Sequence, residues 1–321
     1  MKWETKKQTN IGLDFSLLDN RLRGSVDVYD SKTENLLFDY TVPQPPYPYN
    51  KIKANVGSIS NKGLEVALAY DVIKTDNSTL TLAGNLSLMK NEVLNLSGSI
   101  NGVPLNTDYV GWGAANSYLV QGKPIGAFYI LEHTGKNENN VETVKDRDGN
   151  GIIDQGVKSP DRYYAGSALP TYTFAFNPSY RYKNFDTSVL VRGSGGNKIY
   201  NGLRSNLSRL ENIGKSNVLE SALDTGIYTS PYGSDLWLED GSFVRLENVT
   251  AGYTFRFMDK YVDSIRLSLT GNNLLLITNY SGLDPELNIS GSGDPNDNFG
   301  GDRGMYPRTR SIAFGLTVKF K

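Results

Sequence analysis

The lengths of the connections between strand-like segments constrain the fold of this chain more than any other feature. Four connections are tight, at residues 19–20, 74–77, 183–184 and 258–262. Four others are long and polar, at residues 32–60, 91–170, 194–241 and 275–307. The two kinds alternate along the chain. Short turns on one side and long loops on the other are typical of an outer-membrane β-barrel, whereas a soluble β-sandwich has no reason to sort its loops by length.

The segments between these connections alternate apolar and polar residues with a period of two, which predicts strands. In residues 11–17 and 312–320, every second side chain is isoleucine, leucine, valine or phenylalanine. Many runs reach about ten residues, the length that a tilted strand needs to cross a bilayer. The charges on the polar face would point into a wet lumen; they include Arg23, Asp27, Glu65, Asp186, Arg192 and Arg266. A change of phase within residues 242–257 predicts a β-bulge.

The pattern predicts an all-β fold, an antiparallel transmembrane β-barrel segment of about nine strands. If the short turns are periplasmic, the last strand ends in the periplasm at Lys321, and an odd count places the start of the first strand outside. Single-chain bacterial barrels have an even number of strands, with both termini in the periplasm. We therefore expect an incomplete barrel, an open sheet with two unpaired edges, unless a further strand near residues 125–133 changes the parity.

Composition excludes several classes of function. The net charge is -1, so there is no basic excess to neutralise phosphates, and nucleic acid is not expected as a partner. The chain has no cysteine, which excludes disulfides, thiolate metal sites and thiol nucleophiles. No stretch approaches eighteen apolar residues, which excludes a transmembrane helix. The first ten residues are polar and do not resemble a signal peptide.

One short motif has the residue pattern of a calcium-binding loop. Residues 146–154 read DRDGNGIID and fit the start of an EF-hand loop, in which oxygen ligands stand at alternate positions and a glycine makes a sharp turn. The predicted metal ligands are Asp146, Asp148, Asn150, Ile152 through its carbonyl, and Asp154. The twelfth position is Val157, where a bidentate glutamate is expected. The loop therefore binds Ca²⁺ weakly, takes a ligand from elsewhere, or is a plain Asp/Gly turn.

Catalytic groups are scarce in this sequence. His133 is its only histidine, and a loop or strand-edge role is several times more common for a lone histidine than catalysis. Asp284 and Glu286 have the residue types of a glycosidase pair, but the intervening Pro285 favours a loop-shaping role. We therefore expect no enzymatic activity.

Six motifs, taken together and in order, resemble SusC/RagA-type TonB-dependent transporters of Bacteroidetes. They begin at Lys2-Trp3-Glu4 with 8–14 (QTNIGLD) and run almost to the end of the chain at Phe320. The others are 55–65 (NVGSISNKGLE), 122–129 (GKPIGAFY), 240–253 (DGSFVRLENVTAGY), 271–274 (GNNL), and 280–286 (YSGLDPE) with Tyr306-Pro307. Phe320 resembles the terminal aromatic residue that barrel-assembly machinery reads, although Lys321 follows it here.

The resemblance implies an outer-membrane importer of glycans or peptides. Such a protein has a large barrel in the lipid bilayer, an N-terminal plug, energy supplied through TonB–ExbB–ExbD, and a SusD-like lipoprotein on its outer side. This chain matches only the C-terminal barrel portion, and the plug, TonB box and signal sequence have no counterpart in it. Aromatic residues of the long loops could stack on sugars, pack on the lipoprotein or pack locally; they are Tyr47, Tyr49, Trp112, Tyr228, Tyr232 and Trp237.

Two other interpretations remain open from the sequence. The first is a small stand-alone outer-membrane barrel without transport. The second is a soluble all-β module that binds carbohydrate, since a soluble sandwich gives the same alternation with its apolar face in a core. The substrate is not encoded in the loop composition.

Overall fold

Nine strands form one antiparallel sheet in which each strand pairs with its neighbours along the chain. The computed structural model describes residues 2–42, 44–45, 47–100, 103–105, 109–111, 117–156, 159–257, 261–286, 300–302 and 307–321. The strands are β1 Thr5–Leu17, β2 Leu22–Thr41, β3 Lys51–Lys74, β4 Ser78–Asn95, β5 Tyr172–Tyr182, β6 Phe185–Gly195, β7 Phe243–Arg256, β8 Val262–Thr278 and β9 Ser311–Phe320. The predicted count of nine sheet strands is confirmed.

The alternation of short and long connections is confirmed, with one correction. Tight turns link β1 to β2, β3 to β4, β5 to β6 and β7 to β8, although Met258 lies outside the described residues. The loop predicted at 32–60 spans only 42–50, because the β2–β3 ladder continues to the pair Thr41–Lys51. Backbone pairing satisfies the N–H and C=O groups of these residues whatever their side chains are, so a polar sequence does not end the strands.

The two faces of the sheet differ as the alternation predicts. The outward face exposes large apolar side chains, among them Ile11 at 73% and Phe314 at 72%. The inward face carries charges, and Arg266 pairs there with Asp186 at 2.5 Å. An exposed apolar band outside a polar interior is the surface pattern of a wall that a bilayer surrounds.

The sheet is open. Within the described residues, β1 pairs only with β2, and β9 pairs only with β8. Both edges of the sheet therefore keep a row of backbone groups available for pairing, as expected from the odd strand count.

The predicted bulge is present in β7 at Glu247. In the pairing with β6, Leu190 opposes Asn248 and Val191 opposes Leu246, so Glu247 has no partner in the ladder. The pairing of β7 with β8 shifts at the same place. A bulge re-aims the side chains beside it, and here it lies at the outer end of the barrel wall.

The long outer loops are folded. They contain the helices α1 Gly202–Leu207 and α2 Ala222–Thr225 and the 3-10 turns Leu210–Asn212 and Asp235–Trp237. Their short strands are Gly98–Ile100, Val103–Leu105, Tyr109–Gly111, Ser117–Val120, Ala127–Leu131, His133–Lys136, Glu142–Val144, Arg162–Ser167, Lys198–Asn201, Leu238–Asp240 and Gly301–Asp302. Because Ala127–Leu131 pairs within the loops, it does not change the parity of the wall. Among the described residues, no helix has the length and apolarity needed to cross a membrane.

Two loops that are distant in sequence share one hydrophobic core. Phe128 and Ile130, from the connection between β4 and β5, are fully buried together with Tyr200 and Trp237, from the connection between β6 and β7. Burial of such side chains stabilises each by about 1.5–3 kcal/mol. The outer loops therefore form a packed layer above the wall rather than separate flexible segments.

Candidate functional site

A network of ion pairs lies where the bulge of β7 meets the loop after β8. Arg245 is almost completely buried, and its Nη2 atom lies 2.6 Å from Oδ1 of Asp284. Its Nε atom is 3.1 Å from Oε2 of Glu286, an ion-pair distance that lacks the angle of a hydrogen bond. Its Nη1 atom donates to Asn273 at 2.5 Å. A buried guanidinium is tolerated only when it is paired in this way.

A second arginine completes the network from β6. The two Nη atoms of Arg192 donate to the carboxylate of Glu286 at 2.6 and 2.8 Å, in a bidentate arrangement. Its Nε atom donates to Glu247, the bulged residue, at 2.7 Å. Arg308 approaches both glutamates from the segment before β9. Three cations therefore balance three carboxylates, with the ring of Phe243 between the guanidinium groups of Arg192 and Arg245.

This network explains why Asp284 and Glu286 are not a glycosidase pair. Both carboxylates are held by arginines, and the backbone N–H of Glu286 donates to Asp284 at 3.0 Å. A general acid needs a raised pKa, whereas arginine partners favour the ionised form. The loop-shaping role expected from the sequence agrees with this geometry. The network also joins the motif at 240–253 to the motif at 280–286, a contact that the sequence did not reveal.

The predicted calcium loop brings together only part of its expected ligand set. The carboxylates of Asp146 and Asp148 lie together with that of Asp161, within 4.8 Å of one another. Asp161 is fully buried and accepts from the backbone N–H groups of Arg147 and Asp154, each at 2.8 Å. Sequence reasoning missed Asp161 because it lies beyond the twelfth position of the motif. Its arrival supplies a third oxygen donor of the kind that Ca²⁺ prefers.

The remaining predicted ligands take other partners. The carboxylate of Asp154 accepts from the backbone N–H of Gly156 at 2.8 Å, and Asp154 lies outside the group of three. The side-chain oxygen of Asn150 accepts from the backbone N–H of Ile152 at 2.7 Å. Val157, at the twelfth position, lies outside the described residues.

The conformation of this loop stabilises charge on Asp146. Its carboxylate accepts from the backbone N–H groups of Gly151 and Gly149, each at 2.7 Å. These bonds, that from Gly151 first, hold the pKa of Asp146 below its ordinary value. Both glycines have positive φ, at 72° and 81°, so side chains at these positions would be strained. The turn keeps a carboxylate ionised and turned toward Asp148 and Asp161.

His133 has a structural position. Its Nδ1 atom lies 3.0 Å from Oε1 of Glu142, a fully buried carboxylate that also accepts from the hydroxyls of Ser230 and Ser234. Because both serines donate to the glutamate and not to the imidazole, the arrangement is not that of a nucleophile activated by a base. It joins the loop between β4 and β5 to the loop between β6 and β7, in agreement with the strand-edge role expected for His133.

The loop aromatics divide into two groups. Trp237 is fully buried, and Tyr47 packs against a small core formed by residues of β2 and β3. Tyr49 and Tyr228 are exposed, at 75% and 52%. Trp112 and Tyr306 lie outside the described residues. Local packing therefore accounts for the first group, and only the second is available to a partner.

Comparison with known proteins identifies the family. The profile of the family described as "TonB dependent receptor-like, beta-barrel" matches residues 1–274, so the chain belongs to this family of transporters and receptors, which are outer-membrane β-barrel proteins rather than enzymes. It is 32% identical to TonB-dependent receptor P3 of Formosa agariphila, over 100% of this chain and 34% of that protein. It is 30% identical to TonB-dependent receptor SusC of Bacteroides thetaiotaomicron, over 100% of this chain and 32% of SusC.

A solved structure has the same fold. The RagAB peptide transporter superimposes with a TM-score of 0.80 at 21% identity, covering 99% of this chain and 36% of that chain. The chain thus spans about a third of the length of the relatives it matches. The resemblance stated from the sequence motifs is confirmed at the level of family and fold.

Proposed function

We propose that this chain is the C-terminal barrel portion, residues 1–321, of an outer-membrane importer that takes up glycans or peptides. The observation that supports this proposal most strongly is the open meander of nine strands, which ends in unpaired edges and matches its relatives over a third of their length. The remaining strands and a plug would close the wall and gate the lumen. In this arrangement the chain has no catalytic role.

Two partners follow from the proposed import. Energy would come from TonB–ExbB–ExbD through the portion of the protein that precedes the homologous barrel segment. A SusD-like lipoprotein would cover the outer loops, where the exposed aromatic residues Tyr49 and Tyr228 are available for contact. Exposed aromatics on a rigid layer are favourable interface residues, because they bury a large area with few torsions. The exposed apolar band of the wall would contact the lipid bilayer.

An outer-membrane preparation and an uptake assay test this proposal. An immunoblot against residues 240–253 is expected to give a band far above 35.4 kDa in the outer-membrane fraction. Deletion of the gene is expected to abolish the uptake of a labelled glycan or peptide, and an uncoupler is expected to do the same in the wild type. A band at 35.4 kDa together with unchanged uptake would contradict the proposal and favour a small stand-alone barrel.

We further propose that the loop at residues 146–161 binds Ca²⁺ as a structural element. The donors would be the carboxylates of Asp146, Asp148 and Asp161, assisted by the side-chain oxygen of Asn150 and the carbonyl of Ile152. The donor set is all oxygen, which suits a hard cation. The affinity expected of extracellular modules is weak, with Kd on the order of 10⁻⁴–10⁻³ M. The ion would fix the outer loop layer and take no part in chemistry.

A further inference from the structure

A polar groove on the inner face of β1, β2 and β3 has no role in the fold. It encloses about 560 Å³, and its walls carry amide, hydroxyl, carboxylate and ammonium groups and one aromatic ring. The lining side chains are Lys6, Gln8, Asn10, Asp27, Tyr29, Ser31, Asn61 and Glu65. Structural polar groups on a wall normally bond to each other, so unused groups in a concavity indicate a ligand site.

The groove lies at the outer margin of the apolar band. On the outward face, the apolar cross-strand pair Val28–Leu64 is followed by the ion pair of Asp30 with Lys62, whose atoms are 2.8 Å apart. Tyr29 lies on the inward face between these two levels. The groove thus opens into the outer part of the lumen, where a ligand that enters from outside arrives first.

Two glycines shape the groove. A Cβ atom on Gly12 would lie 2.2 Å from Oδ1 of Asp27, and one on Gly63 would lie 2.5 Å from the phenol end of Tyr29. Each glycine stands directly opposite the side chain that covers it. Asp27 and Tyr29 can therefore lie along the wall instead of projecting into the lumen, and this leaves the volume of the groove open.

The groups of the groove are unused. Within the described part of the chain, no hydrogen bond or ion pair engages the side chains of Gln8, Asn10, Asn61 or Glu65. Asp27, directly opposite Glu65, is likewise without a partner. In contrast, other inward charges on the same wall are neutralised, as in the pair of Arg23 with Asp71 at 2.9 Å. Unpaired like charges that face each other destabilise a sheet, so their presence favours a binding role.

We infer that this groove binds a saccharide, an inference that rests on the proposed import function and specifies its substrate class. A saccharide carries many hydroxyls, each of which donates and accepts, and the groove offers both kinds of partner. The groove contains one ammonium and two carboxylates, so it does not select an anion. Tyr29 supplies a single aromatic surface for a sugar ring. The lining has no apolar pocket of the kind that side chains of a peptide would fill.

The test measures binding and uptake with the native protein in its own outer membrane. The probes are soluble linear oligosaccharides of glucose, mannose and xylose, and tripeptides serve as the alternative ligand. The groove variants are Asn10→Ala, Glu65→Gln and Tyr29→Ala. The control variant is Ser188→Ala, which is inward-facing on β6 and three strands away from the groove.

The expected result is that at least one oligosaccharide binds, that each groove variant weakens its binding about tenfold, as the loss of one strong polar contact does, and that Ser188→Ala leaves its binding unchanged. Unchanged affinity in all groove variants, with uptake intact, would overturn the saccharide site and leave import standing. Weakened binding of tripeptides alone would also overturn it. If the wild type neither binds nor takes up any probe, the inference and the proposed import fail together.

Thermal unfolding of the same variants separates the groove from a surface covered by another part of the protein. If the groove is open to ligand, the variants keep the melting temperature of the wild type in the absence of oligosaccharide. A lowered melting temperature combined with unchanged oligosaccharide affinity would show that protein fills the groove, and would overturn the inference.

Discussion

The guanidinium of Arg245 and the carboxylate of Asp284 lie 2.6 Å apart, with 1% and 3% of their side-chain surfaces exposed. They connect the bulged strand β7 to the loop that follows β8. Because both charges are buried, each depends on the other, and removal of one leaves the other without compensation. This pair fixes the outer end of the wall to a loop that would otherwise be held by few apolar contacts.

Replacement of Arg245 by leucine is expected to lower the free energy of unfolding by about 3–5 kcal/mol, because Asp284 stays buried without its partner. The double variant Arg245→Leu/Asp284→Leu is expected to lose less, since no unpaired charge remains. Chemical unfolding of the native protein in detergent measures both.

A more exposed ion pair on the same wall gives the matched control. Arg266 and Asp186 have side chains that are 33% and 40% exposed. Arg266→Leu is therefore expected to cost at most about 1 kcal/mol. An equal loss at the two arginines would contradict the assignment of Arg245 as the buried connection.

Ca²⁺ is expected to raise the melting temperature of the protein, and Asp161→Asn is expected to abolish that increase. The reason is that Asp161 completes the group formed with Asp146 and Asp148, all within 4.8 Å. Asp154→Asn is the comparison that separates the structure from the sequence motif, because Asp154 lies outside the group. If Asp154→Asn abolishes the response and Asp161→Asn does not, the motif positions are the ligands and the group of three is not.

Stability is expected to fall above about pH 10 through Tyr280, the ordinary pKa of a tyrosine in the unfolded chain being about 10. Burial first, and then the hydrogen bond of its hydroxyl to Asp302 at 2.6 Å, raise the pKa of Tyr280. Because the folded pKa is the higher one, this contribution is complete below the unfolded pKa and is lost as the pH rises toward the folded pKa.

The midpoint of unfolding, measured from pH 8 to 11.5 for the wild type and Tyr280→Phe, checks this expectation. Other buried tyrosines contribute to the wild-type slope, among them Tyr163, whose pKa burial also raises. The informative quantity is therefore the difference between the two proteins. Parallel curves through the whole range would refute a role for the Tyr280 hydroxyl.

The two faces of the wall are expected to respond differently to charge. Phe176 on β5 is 44% exposed on the apolar face, and Asn177 beside it points inward. Phe176→Arg is expected to cost about 2–4 kcal/mol in a bilayer if it lies near the midplane, because arginine would meet lipid there. Asn177→Arg is expected to be almost neutral, since the lumen is wet. Folding of each variant into phospholipid vesicles, followed by heat-dependent gel mobility, measures the difference, and equal effects would reverse the assignment of faces.

The sequence by itself determined the strands, their facing and their number. A period of two has only one mapping onto a pleated strand, so residues 11–17 and 312–320 specified which side chains are exposed. The change of phase in residues 242–257 also located the bulge now seen at Glu247. Such features are local, because they depend on neighbouring residues along one strand. The extent of β2 and β3 was underestimated, since polar side chains do not prevent ladder hydrogen bonds.

Only the tertiary structure decided which distant groups meet. Arg245 and Asp284 belong to separate motifs, and nothing in either shows that they form a buried pair. Asp161 lies beyond the reach of the calcium-loop pattern, yet the fold returns its carboxylate to Asp146 and Asp148. The groove depends on Gly12 standing opposite Asp27, a consequence of strand register. The physical reason is the same in each case, because pairing register and loop packing are set by the free energy of the whole sheet and not by any single segment.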